Sequence, residues 1–137
     1  MQPVLQKKIS WFLLSALVFL DAFLDVLRGA EGNPLWQPIV NAVGMQNVPL
    51  LVPPLLVGFY LIVKVLGRIV TAVDKTPQAE EIILTAFVLV YAVFDAWLLA
   101  VDFLNFKLVT DFRLMAIPLT AIGLAYGLWA EKKLKNK

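Results

Sequence analysis

Four aspartates stand inside segments that are otherwise apolar, and they are the residues most able to do chemistry. Asp21 and Asp25 lie four residues apart in SALVFLDAFLDVLR (15–28), which on a helix puts them on one face, one turn above the other. Asp95 and Asp102 lie one heptad apart in YAVFDAWLLAVDFLN (91–105) and so also share a face. An aspartate near the middle of a membrane helix costs about 2.5–3.5 kcal/mol on insertion scales, so something must compensate it. Such groups turn toward a bundle interior or an aqueous cavity rather than lipid. Two kinds of chemistry follow: the acids bind a cation or an exchangeable proton, or a neutral acid hydrogen-bonds to a neighbour such as Tyr91, one turn before Asp95. Asp25 has a plainer reading as a salt bridge to Arg28 near the interface, and Asp102 also lies close to the outer surface. Glu31, Asn33 and Asn105 would stand at the mouth of an acidic site opening outward.

The elements that must position these acids are set by composition. Of 137 residues, 61% are hydrophobic and 16% charged, against about 45–50% and about 25% in soluble domains. The excess falls into runs long enough to cross a bilayer, which takes roughly 20 apolar residues per helix. The fold expected is all-α: a single polytopic domain over 1–137 with four transmembrane helices, at about 9–28, 50–72, 78–105 and 112–130. In that setting a pI near 9.0 is no sign of nucleic-acid binding. The first hydrophobic run has no small-residue cleavage site and is read as a retained helix.

Lys and Arg set the orientation. Lys7, Lys8, Lys64, Arg68, Lys75, Lys132, Lys133, Lys135 and Lys137 fall on one side, taken as the cytoplasm, and Arg28, Lys107 and Arg113 on the other. Both termini are then cytoplasmic and the protein is integral to the cell membrane. Lys64 and Arg68 read as snorkelling side chains, and Glu80 and Glu81 as a solvated helix start. Thr76 with Pro77 reads as the N-cap of the third span, and Asp111 as the cap of the fourth. Between the first two spans, residues 33–48 carry turn signals around Leu35, Trp36, Ile39, Val40 and Val43. A short interfacial helix and an ordered loop packed on the bundle are equal readings of that stretch.

The absence of Cys and His removes disulfides, thiolate and haem sites, and Ser-His or Cys-His nucleophiles. The only cofactor left open is a hard cation with oxygen ligands, for which Asp21 and Asp95 are the candidate pair. In the fourth span, Ala116, Thr120, Gly123 and Gly127 share one face, a device for close helix approach, so the expected partners are the lipid bilayer and further copies of the chain. Leu20–Leu24 (LDAFL) also reads like Phe94–Leu98 (FDAWL), a short parallel repeat that would make Asp21 and Asp95 equivalent.

The order Asp21, Gly29, Glu31 and Asn33-Pro34 resembles a group of small prokaryotic membrane proteins with an Asp-bearing first helix followed by G-x-E-x-N-P. Asn105 is a later match. The group has no established activity, so the resemblance directs attention to Glu31 and Asn33 without implying a function.

Three functions remain in view. The first is cation or proton binding by the acids, serving transport. The second is a membrane enzyme acting on a lipid or peptide, with aspartates sharing a proton or holding a divalent ion. Against it, the chain has no G-x-G-D segment and no spaced aspartate set of the phosphotransferase kind. The third is an accessory or scaffold subunit of a larger membrane complex.

Overall fold

The computed structural model describes residues 2–30, 33–106 and 109–137. Its elements are α1 (Lys7–Arg28), α2 (Gln37–Val43), a 3-10 segment (Met45–Leu51), α3 (Val52–Asp74), α4 (Ala79–Leu98), a π turn (Leu99–Phe103) and α5 (Phe112–Lys135). There is no strand among the described residues. Four helical stretches are long and apolar enough to cross a membrane: Lys7–Arg28, Met45–Asp74, Ala79–Phe103 and Phe112–Lys135. The shortest has 22 residues, about 33 Å at 1.5 Å per residue, against a hydrocarbon core of about 30 Å. The protein is an all-α polytopic bundle.

Sequence explains where the helices stop. After Arg28 the chain must turn into a left-handed conformation, and Gly29 (φ 69°) supplies it while its N–H returns to Asp25 O at 2.9 Å. Asp111 caps α5, its side chain accepting from the Arg113 N–H at 2.9 Å. Thr76 does not cap α4, in contrast to the sequence reading. The helix begins at Ala79, after Gln78 in a left-handed conformation, and the Thr76 hydroxyl donates instead to Glu131 at 2.9 Å. Residues 33–48 contain both alternatives at once. A short helix forms over Gln37–Val43, and Val40 and Val48 are buried in the main core, so the segment is packed on the bundle.

α4 is the central element, packed against α1, α3 and α5. The main core lies between α1, α3 and α4, around Leu14, Val18, Val63, Leu84 and Val88. Close approach of α3 to α4 depends on Gly67, because a Cβ there would stand 2.5 Å from Glu80 Cγ. α5 is attached differently. It packs chiefly on α4, and the N-terminal segment reaches across to it. Tyr126 donates to Pro3 O at 2.6 Å, and Val4 is buried with Ile82 and Ala130. The Leu5 N–H donates to the Thr85 hydroxyl at 3.1 Å, fixing that segment beside α4.

The end of the bundle nearest the chain termini carries an ion-pair cluster. Glu80 accepts from Lys64 at 2.9 Å and lies 3.0 Å from the Lys7 ammonium. Lys64 is therefore paired across helices rather than only snorkelling, and Glu80 is a half-buried acceptor rather than a solvated end.

Candidate functional site: an acidic cluster at the end of the bundle away from the termini

The site forms where the C-terminal end of α1 meets the C-terminal end of α4. On α1, Asp25 is buried, and its carboxylate pairs with the Arg28 guanidinium one turn further on. The same guanidinium reaches α4: Arg28 Nη1 donates to Asp102 Oδ2 at 3.0 Å. The π turn enables this second contact. It widens the last turn of the helix, with the Leu104 N–H bonding to Leu99 O at 3.1 Å, and Asp102 lies within it. One arginine thus holds two carboxylates, and the Asp25–Arg28–Asp102 group keeps a formal charge of −1 with all three ionised.

Asp95 is placed differently. Its side chain is 2% exposed, and neither carboxylate oxygen has a hydrogen-bond partner. The hydrogen bond to Tyr91 that helical spacing allows is not made. The charge that Asp95 feels is Asp25, close enough to repel it. Asp21, one turn before Asp25, is half-buried and faces cavities shared with Tyr91 and Trp36.

Two chambers adjoin this cluster, an outer one at the end of the bundle and an inner one deeper between the helices. The larger, about 390 Å³, is lined by Arg28, Asn33, Trp97, Asp102, Thr110 and Asp111 among others. The smaller, about 150 Å³, is lined by Asp21, Asn33, Trp36 and Tyr91 together with apolar residues. Asn33, Phe94 and Phe112 belong to both walls. Asn33 also makes the turn into α2, its side-chain oxygen accepting from the Leu35 N–H at 3.0 Å, so its turn role and its place at the chambers coexist.

The structure sorts the residues singled out from sequence. Asp25, Arg28 and Asp102 form one ion-paired group, with Asp95 in its field. Asp21, Tyr91 and Asn33 line the inner chamber. Asn105 is exposed, in a left-handed conformation (φ 57°), and lines neither chamber. Glu31 lies outside the described residues. Among the described residues no three acids come together as they would around a metal ion. The aromatic walls formed by Phe94, Trp97 and Phe112 escaped the sequence reading. The signal available was the i, i+3 pair Phe94 and Trp97 flanking Asp95.

The fold and the acidic cluster define a class: a small four-helix membrane protein with ionisable groups gathered at the end of the bundle away from its termini. Compared with known proteins, the chain matches no family model, no curated protein and no solved structure.

Proposed function

We propose that this protein binds and releases a proton at its outer-half aspartates, with Asp95 as the binding group and proton movement across the membrane as the activity served. The observation that carries this reading is the pair of Asp95 oxygens, both buried and both without a hydrogen-bond partner. A carboxylate enclosed in apolar surroundings without a partner is far more costly than the neutral acid. Asp25 nearby opposes a second negative charge, whereas Asp25 and Asp102 are already neutralised in part by Arg28. A multivalent metal would need several convergent oxygen ligands, and the described acids do not supply them. A proton is the cation that this geometry suits best.

The test is infrared difference spectroscopy of the purified protein, with stability measured over pH and over Na⁺, K⁺, Mg²⁺, Ca²⁺ and Mn²⁺. A protonated carboxylic acid band that shifts in deuterium oxide is expected in the parent and absent in Asp95→Asn. The pH response of stability is expected to weaken in the same variant, with no selective response to any metal. Asp95→Leu removes the unpartnered group altogether and is expected to gain about 1–3 kcal/mol of stability. An unchanged acid band in Asp95→Asn would refute the assignment.

The same reading places the protein in the cell membrane with both termini in the cytoplasm, as the Lys/Arg distribution requires. It also makes the protein a homo-oligomer through α5. A lateral groove of about 600 Å³ opens between α3 and α5, and Ala116, Thr120, Gly123 and Gly127 all lie on its wall. A Cβ added at Gly127 would meet nothing within 4 Å, so this wall has room for another helix. Gly127→Leu is expected to convert the oligomer to monomer in single-molecule photobleaching with the fold retained. An unchanged subunit count would remove α5 as the interface.

A further inference from the structure

The two chambers share Asn33, Phe94 and Phe112, so the wall between them is two aromatic rings with one amide beside them. Phe94 of α4 and Phe112, the first residue of α5, stand edge to face with ring centroids 5.4 Å apart and planes at 88°. Phe94 also lies against Trp97 at 5.7 Å. Trp97 is fixed in turn, its indole N–H donating to Val109 O at 2.8 Å. On the outer side of this wall the lining is charged, with Arg28, Asp102 and Asp111. On the inner side it carries Asp21, Asn33 and Tyr91. Polar groups thus occur on both sides of a thin, mainly aromatic partition beside the acidic cluster.

We propose that these chambers form a water-filled half-channel from the outer surface to Asp21 and Tyr91, closed at its middle by the Phe94–Phe112 ring pair. The volume suits water. At about 30 Å³ per molecule the inner chamber holds about five waters, and its polar lining offers them several partners. The closure suits a gate. The edge-to-face attraction between the rings is modest, so it is burial of the rings and not that attraction that holds the partition shut. Phe112 is placed to swing aside, because it begins α5 and has no preceding helical turn to clash with. Trp97, held by the backbone of the outer segment, forms the fixed jamb against which Phe94 rests. The half-channel rests on the proton-binding reading as its route to the outside, and Asp95, which lines neither chamber, follows Phe94 of the partition in the chain.

The chain has no native cysteine, so single cysteines report solvent access directly. Asp21→Cys, Tyr91→Cys and Thr110→Cys would be reacted in proteoliposomes with a small, charged, membrane-impermeant methanethiosulfonate from either side. Thr110→Cys, in the outer chamber, is expected to react fast from outside whatever residue stands at 112. Asp21→Cys and Tyr91→Cys are expected to react slowly, from the same side only. Adding Phe112→Ala is expected to speed both inner positions by about two- to tenfold, and Phe112→Leu to speed them less. Inner positions unaffected by Phe112→Ala, reactive only from the cytoplasmic side, or inert in every background would each overturn the half-channel. Two inner probes on different helices keep the result readable should one variant fail to fold. The readout does not depend on protonation, so loss of the infrared assignment at Asp95 would leave this test standing, and the converse also holds.

Discussion

Replacing Arg28 with alanine is expected to cost about 3–5 kcal/mol, the range for removing one partner of a buried ion pair. Asp25 is 3% exposed, and Arg28 is its charged partner. Without the guanidinium, a full negative charge remains enclosed, with Asp95 in range and Asp102 released on the facing helix. The loss would come from the stranded carboxylate more than from the missing attraction. Arg28→Ala with Asp25→Asn should therefore recover most of the stability. Arg28→Lys should recover only part, because an ammonium cannot fork between two carboxylates on different helices as a guanidinium does. Denaturation in mild detergent with increasing SDS would measure all four proteins. Equal stability of Arg28→Ala and the parent, or no recovery in the double variant, would sink this account of the ion-paired group.

The second large effect is expected at Gly67. Its Cα faces Glu80 so closely that a Cβ would sit 2.5 Å from Glu80 Cγ, while the Glu80 Cα and Cβ stay at 3.6 Å. Gly67→Ala would force the Glu80 side chain to move and weaken its pairing with Lys64 and Lys7. Overpacking of this kind costs typically about 1–3 kcal/mol. The obstacle is the Glu80 side chain and not its backbone, so the penalty should nearly vanish in a Glu80→Ala background. A double-mutant cycle reads that coupling directly. Additive effects of Gly67→Ala and Glu80→Ala would show that the helices do not meet through this pair.

These cases show what the order of residues could and could not disclose. The four membrane helices were legible because lipid demands long apolar runs, and Lys and Arg gather at their ends. The Asp25–Arg28 pair was legible from i, i+3 spacing alone. The Arg28–Asp102 bond was not: its partners are 74 positions apart, and it uses the π turn, for which the sequence gives no periodic sign. Asp95 and Tyr91 show the opposite limit, since helical spacing permits a hydrogen bond that side-chain direction does not produce. Thr76-Pro77 is a sound capping pattern, but Glu131 from α5 offers the hydroxyl a stronger acceptor. Lys64 looked solitary because Glu80 arrives from the next helix. The ring pair at 94 and 112 was invisible for the same reason, as each residue alone is an ordinary membrane phenylalanine.

The contact between Pro3 and Tyr126 bears on how the molecule is made. Its two partners are separated by 123 positions, so during synthesis the N-terminal segment emerges long before α5 exists to receive it. Helices α1, α3 and α4 can assemble as each leaves the ribosome, and the segment can then meet α4 through Leu5 and Thr85, but this strap can close onto Tyr126 only once α5 has been inserted. Val4, buried in the finished bundle against Ala130, must wait uncovered until then. The strap thus acts as a late latch, and in pulse-chase proteolysis its cleavage sites should be the last to gain protection.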